Sequence, residues 1–327
     1  MNIYIVGGGS IGLLLAGRLT EAAENIHQVK MICRKAAQAS EILRSGITVN
    51  YSEEGEHFTV FPAAASFEGW EKHREAEKPD WILLAVKQKD IDDDLAAWLA
   101  HWSGSHTGIV CFQNGLGHEE RLALHLPRSS IYMAVTTEGA RKSSPTEVRH
   151  TGKGITRIGR AYGFPKACAG HAAGHGDREQ ALLQFLCQAG FDARWTDHIH
   201  RYGWNKLVIN SIINPLTALT GIPNGELIRN QHLLQLAQSL FAEAKEVAGR
   251  RGIELDAHLW EQVFDVCERT AANESSMLQD IYSGRTTEID WINGSLVRIA
   301  EEEGLELPTH QTLYHLIKSM ENGRNSR

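Results

Sequence analysis

Cysteine is scarce in this 327-residue chain, and its placement excludes more than its number. Cys33, Cys111, Cys168, Cys187 and Cys267 are odd in count, scattered, and form no CxxC pair. Neither a disulfide framework nor a zinc ribbon fits that pattern, whereas a reducing compartment does. Apolar runs of membrane-spanning length are missing, and the first residues read as a strand rather than a secretory leader. The expectation is a cytoplasmic protein that does not use a membrane. A basic excess is also absent: 33 Lys and Arg against 40 Asp and Glu leave a net charge of -7. That argues against a general nucleic-acid binder, although one anionic ligand needs only a local patch. No internal repeat is visible. The length exceeds what one core usually serves, which predicts two domains.

What is present begins with alternating strands and helices. NIYIV (2–6), HQVKMICR (27–34), ITVNY, HFTVFPA, DWILLAV (80–86), TGIVCFQ and SIYMAV read as strands, with ITVNY and HFTVFPA suited to a hairpin. DWILLAV is almost uninterrupted in its apolar character, as a central parallel strand is. KDIDDDLAAWLAHW reads as the helix that follows it. The alternation predicts an open α/β sheet with crossover helices. VRHTGKGITRIGRAYG supplies strands that close this domain, and the Gly- and Ala-rich segment 164–177 reads as a loop or linker. Residues 178–321 are mostly helical patterns, the clearest being NQHLLQLAQSLFAEAKEVAGRRG, which stops at Gly252.

Gly7, Gly9 and Gly12 form G-x-G-x-x-G between the first strand and the first helix. Alone the motif is weak, but this is the context it requires. The first glycine permits the tight turn, the second lets backbone approach a pyrophosphate, and the third lets the helix pack closely. Gly8, Ser10 and Ile11 complete the turn, whose helix N-terminus presents free N–H groups to phosphate. The expected fold is therefore α/β plus all-α: a Rossmann-like dinucleotide-binding domain over 1–177 and a helical substrate-binding and catalytic domain over 178–327. An NAD-selective site carries Asp or Glu at the end of the second strand. Here Cys33, Arg34 and Lys35 stand there, with no acid to hold a ribose diol. A guanidinium suits a 2′-phosphate, so NADPH is expected over NADH, with Arg34 as the chief contact.

RYGWNKLVINSIINPLTALTG (201–221) poses the sharpest question. Lys206, Asn210 and Asn214 recur every fourth residue in a helix otherwise apolar through Trp204, Leu207, Ile209, Ile212, Ile213 and Leu216. Steps of four drift only roughly 40° around a helix, so the three form one stripe. An amphipathic surface helix has such a stripe too, but Asn is a poor helix former and suits a ligand-lined cleft better. Lys87, Gln113 and Asn114 follow apolar strands at carboxyl ends, where open α/β sheets bind ligands. Ordinary turn chemistry explains Asn114-Gly115 equally well at this point. Ser276 and Glu288 read as a helix cap and a solvated acid until something ties them to the rest.

Taken in order, GGGSIG, AVK (85–87), QNG (113–115), HTGKG (150–154), WNKLVINSIINPLTALTG from Trp204, and SSMLQD through TEIDWING (Ser275 to Gly294) resemble the ketopantoate reductases over nearly the whole chain. The resemblance implies an NADPH domain followed by a helical domain. It places the catalytic lysine on Lys206 and its carboxylate partner on Glu288. Substrate contacts fall on Asn114, Asn210, Asn214, Asn273 and Ser276. Lys87 falls near both nicotinamide and substrate, and Asn114 near the cofactor as well. The implied reaction is hydride transfer from NADPH to the C2 carbonyl of 2-dehydropantoate, giving (R)-pantoate for pantothenate and coenzyme A biosynthesis. Gln88 and Lys89 depart from the small or aromatic pair common after the motif lysine, which leaves the exact 2-oxo acid open.

Two other readings remain within reach of the sequence: a reductase of another branched 2-oxo acid, and an NADP(H)-binding regulatory protein without turnover. A metal or thiol enzyme built on Cys168, His171 and His175 lacks a carboxylate and any established signature, so no metal is expected. Assembly is not fixed by the sequence, and a homodimer is compatible with it.

Overall fold

In this computed structural model the described residues are 1–24, 26–51, 55–67, 77–163 and 176–324, with side chains to 322. The chain divides into two compact units. One comprises Met1–Gln113 and His118–Ile199, the other Asn114–Gly117 and His200–Arg327.

The first unit is built on β1 (Asn2–Val6), β2 (Gln28–Cys33), β3 (Ile47–Tyr51), β4 (His57–Val60), β5 (Ala63–Ser66), β6 (Trp81–Leu84), β7 (Gly108–Cys111), β8 (Ile131–Thr136), β9 (Gly139–Lys142), β10 (Glu147–Gly152), β11 (Ile155–Arg160) and β12 (Asp192–Trp195). Eight of them form one sheet in the order β12-β11-β8-β7-β6-β1-β2-β5. From β5 to β8 neighbours run parallel, and β11 then reverses against β8. The continuous apolar runs follow from burial of both faces. Ile3 and Ile5 enter one core with Leu13, Leu14, Ile42 and Phe185, while Tyr4 and Val6 enter another with Leu95, Leu99 and Trp102. Helix Asp93–Trp102 starts where the Asp92 carboxylate accepts from the Leu95 N–H at 2.8 Å.

A second sheet has the order β4-β3-β10-β9. The expected hairpin is its β3–β4 pair. HFTVFPA nevertheless makes two strands rather than one. Pro62 stands between them, β4 joins the small sheet, and β5 pairs with β2 at the edge of the large one. The segment 148–163 likewise divides: β10 enters the small sheet and β11 the large one.

The second unit is helical, with Ile199–Thr220, Asn224–Leu227, Gln231–Arg250, Leu259–Arg269, Ser276–Tyr282, Asn293–Glu302 and Pro308–Arg324. Leu233, Ala237, Leu240, Ala244, Val247 and Ala248 line the buried face of the second-longest helix at spacings of three and four. They share a core with Leu207, Val208, Ile212 and Leu216 of the longest.

The boundary differs from the expected division at 177/178. Helix Asp177–Gln188 and β12 are part of the first unit. Leu182, Phe185, Leu186 and Phe191 lie in its core, and β12 pairs with β11. Arg18 fastens the connection, donating from Nη2 to the Gly190 carbonyl at 2.7 Å while its guanidinium covers the Phe191 ring. An amphipathic helix declares that it has a buried face but not which core takes that face. Leu186→Ala should therefore destabilise by about 2–5 kcal/mol. Hydrogen exchange should quicken in β8, β11 and β12, leaving the helices after residue 200 protected. Loss of protection confined to those later helices would contradict the placement.

Candidate active site

The glycine turn forms at the carboxyl end of β1. Gly7 has φ +117°, and a Cβ there would collide with the backbone of Ala85 and Val86, so the turn requires glycine. A side chain at Gly12 would strike the Gly7 carbonyl, which is why helix Ser10–Glu21 can begin so close to the strand. Gly9 is different: a Cβ there would meet only the Ala85 oxygen, at 3.8 Å. This cradle, with first-turn N–H groups that no side chain caps, fits a dinucleotide pyrophosphate.

Two residues that motif reading missed hold the turn. Lys142 donates from Nζ to the Gly8 carbonyl at 2.8 Å, and its backbone N–H donates to Ser10 Oγ at 3.0 Å. Gln38 bridges the Gly8 and Pro145 carbonyls at 3.0 and 2.8 Å. Their partners are mostly backbone oxygens far away in sequence, which leave no spacing signal.

Arg34 and Lys87 follow β2 and β6, at the same carboxyl edge as the glycine turn. Gln113 donates to the Leu84 and Val86 carbonyls, both at 2.9 Å, and so fixes the segment leading to Lys87. Arg34 is 71% exposed and its Nη1 lies 2.6 Å from an Asp90 oxygen. Nothing in the sequence marks Asp90 as the partner of Arg34. Such exposed pairs contribute at most about 1 kcal/mol, so the guanidinium is available to a phosphate.

In the helical unit the structure brings Asn114, Lys206 and Glu288 together. Asn114 donates from Nδ2 to Glu288 Oε2 at 3.0 Å. Gly115 explains why this segment belongs here: at φ +88° it lies against the Trp291 carbonyl, where a Cβ would not fit. Glu288 stands on a turn fastened from several sides. The Thr287 N–H donates to Glu321 at 2.7 Å, and Asp290 accepts from Tyr314 and Lys318 at 2.8 and 3.0 Å. Burial pushes the Lys206 ammonium down to about 8, while attraction to Glu288 works against that fall.

The polar residues of helix Ile199–Thr220 sort by their partners. Ser211 and Thr217 are fully buried and donate to helix carbonyls, and Asn205 accepts from the Asp256 N–H at 3.2 Å. Asn210 and Asn214 make no side-chain hydrogen bond with a described residue, although Asn214 is only 6% exposed. Asn273 and Ser276 are exposed at the entry to helix Ser276–Tyr282. The cap of that helix is Ser275 rather than Ser276: its Oγ accepts from the Leu278 N–H and lies 2.8 Å from the Thr217 hydroxyl. Asn224, unremarked in the sequence, clamps the same loop through the Asn273 carbonyl at 3.0 Å and Thr270 at 2.9 Å. Its own buried amide oxygen has no partner among the described residues, which adds Asn224 to the candidate ligand contacts.

Cys168, His171 and His175 lie outside the described residues. Among the described residues no group of three or more His, Cys, Asp or Glu could hold a metal, and no helix is long and apolar enough to cross a membrane.

Comparison with known proteins bears on the family. The family model "Ketopantoate reductase PanE/ApbA" matches residues 3–163, and "Ketopantoate reductase PanE/ApbA C terminal" matches 198–321. A 2-dehydropantoate 2-reductase of Pyrococcus horikoshii is 32% identical over 326 residues, covering 98% of each chain. The structure of a probable 2-dehydropantoate 2-reductase from Bacillus subtilis has TM-score 0.77 and 31% identity, covering 98% of this chain and 100% of that one. A D-mandelate dehydrogenase structure with NADH and anilino(oxo)acetate has TM-score 0.85 and 25% identity, covering 99% of both. On these matches the chain belongs to the ketopantoate reductase family of oxidoreductases.

Proposed function

We propose that this protein reduces 2-dehydropantoate to (R)-pantoate with NADPH, in pantothenate and coenzyme A biosynthesis. The observation that carries the reading is the Lys206 ammonium, partly buried beside Glu288, in line with the unpartnered amides of Asn210 and Asn214. When bound, the nicotinamide supplies a hydride to the C2 carbonyl. Lys206 stabilises the negative charge that grows on the carbonyl oxygen and gives it a proton. Glu288 holds the lysine, and Asn114 holds Glu288. Asn210, Asn214, Asn273 and Ser276 orient the substrate, with Lys87 at the substrate and nicotinamide end. Gly7 to Gly12 seat the pyrophosphate and Arg34 takes the 2′-phosphate.

The test is NADPH oxidation across 2-dehydropantoate and other branched or aryl 2-oxo acids, in wild type and Lys206→Ala. A clear preference for 2-dehydropantoate is expected. The lysine variant should lose roughly 100- to 1000-fold in saturated hydride transfer while keeping its NADPH affinity. The D-mandelate dehydrogenase likeness favours a second reading, reduction of a different 2-oxo acid. A preference for such an acid would decide for it, and cofactor binding without any turnover would point to a regulatory protein.

The lysine must be protonated to act as the acid, and burial lowers its pKa to about 8. Below that pH the ammonium persists, and above it the proton is lost. The rate of hydride transfer should therefore fall as pH rises through about 8. A profile flat from pH 6 to 10 would remove Lys206 from the acid role.

Asp90 competes with phosphate for Arg34. Asp90→Asn should raise the NADPH-over-NADH ratio of kcat/KM by up to about fivefold, the equivalent of one exposed ion pair. Arg34→Ala should lower that ratio. An unchanged ratio in both variants would move 2′-phosphate recognition elsewhere.

A further inference from the structure

We infer that Asn293 is a positioning residue for the Lys206–Glu288 pair: its side-chain amide supplies the helix hydrogen bond that Pro215 cannot, and thereby ties the lysine-bearing helix to the glutamate-bearing turn. In an α-helix the N–H of residue 215 serves the carbonyl of residue 211. Proline has no N–H, and its ring presses on that carbonyl. Pro215 lies inside helix Ile199–Thr220, and Ser211 is fully buried, so water is no substitute. Asn293 Nδ2 donates to the Ser211 carbonyl at 2.9 Å.

The amide is held firmly enough to do this. A carbonyl only accepts, so the NH2 side of Asn293 faces Ser211. The same nitrogen lies 3.0 Å from His310 Nδ1, and His310 Nε2 lies 3.0 Å from the Leu240 carbonyl. The proton is therefore on Nε2, and Nδ1 accepts from Asn293. Thr309 and His310 donate their backbone N–H groups to Glu243 at 2.9 and 3.0 Å, which holds the imidazole in turn. Asn293 and His310 are both fully buried.

Position makes the bond consequential. Ser211 adjoins Asn210 and lies five residues beyond Lys206 on the same helix. Asn293 begins helix Asn293–Glu302 directly after the turn in which Trp291 and Ile292 donate to the Glu288 carbonyl, both at 3.1 Å. One hydrogen bond thus joins the two carriers of the pair. A misplacement of about 1 Å at a reacting group costs on the order of 100-fold in rate.

The inference rests on the proposed role of Lys206, and its test separates the two claims. Asn293→Ala, and Asn293→Asp, which keeps the shape but replaces the donor with an acceptor, are each made alone and with Pro215→Ala, which restores an N–H at 215. Single-turnover hydride transfer from NADPH to 2-dehydropantoate is measured under saturation, and NADPH affinity separately. Lys206 titration is followed by NMR with 13C-labelled lysine, assigned through Lys206→Ala. Each single variant should slow transfer at least tenfold and lower the pH at which Lys206 titrates, because Glu288 supports the ammonium less. NADPH affinity should stay within twofold. Pro215→Ala should recover at least a third of the wild-type rate and return the titration toward its original pH. A folded single variant within threefold of wild type, or a loss that Pro215→Ala does not relieve, overturns the inference. Where a single variant fails to fold, recovery of folding by Pro215→Ala supports it and continued failure overturns it. If wild type turns over no 2-oxo acid, the proposed function fails, and the Lys206 titration alone decides the role of Asn293.

Discussion

Lys206 has to keep a positive charge in surroundings that disfavour charge. Burial lowers its pKa from the ordinary lysine range to about 8, and the Glu288 carboxylate resists that fall. An unpaired buried ammonium would lose its proton; a fully paired and solvated one would not focus its charge on a substrate. The value near 8 lies between those limits, as the proposed acid role requires. Much of the helical unit serves this balance. Asn114 occupies one oxygen of Glu288, Gly115 lets that segment lie against Trp291, and Glu321, Tyr314 and Lys318 fix the turn from its other side. Buried opposite charges seldom add stability, so this arrangement is not explained by stability alone.

The stripe on helix Ile199–Thr220 was legible because helical periodicity is a local property. Its meaning was not. Ser211 and Thr217 are polar residues in the same helix, yet their hydroxyls serve helix carbonyls, and Thr217 also reaches Ser275. Asn210 and Asn214 have no such partner among the described residues. Residue type is shared by the two groups, and only three-dimensional hydrogen bonding separates them. Pro215 is a related case. Read alone it is a helix breaker, yet the helix continues through it with the Asn293 amide bonded to the orphaned carbonyl from 82 residues away.

The first unit divides along the same line. Strand runs and the glycine turn were visible because they depend on adjacent residues. The destination of each element was not. Pro62 separates two short strands into different sheets, and helix Asp177–Gln188 turns its apolar face to the sheet rather than to the later helices. Lys142 and Gln38 hold the glycine turn through carbonyls that carry no sequence mark.

Arg34 shows how reading a charge from the sequence leaves out what surrounds it. The missing acid after β2 and the guanidinium in its place argue for a 2′-phosphate. Asp90 then places a carboxylate 2.6 Å from that guanidinium, and the pair is accessible to solvent, with Asp90 26% exposed. In such a place the carboxylate does not prevent exchange for a phosphate, which carries more charge and more acceptor oxygens. For the proposed 2′-phosphate contact it sets the reference, because Arg34 would leave one partner to take the other. Under that proposal, cofactor preference is a difference between two ion pairs rather than the worth of one. A motif can name the guanidinium, but the carboxylate that tempers it arrives through the turn Gln88–Asp90, whose placement depends on the strands and on Gln113.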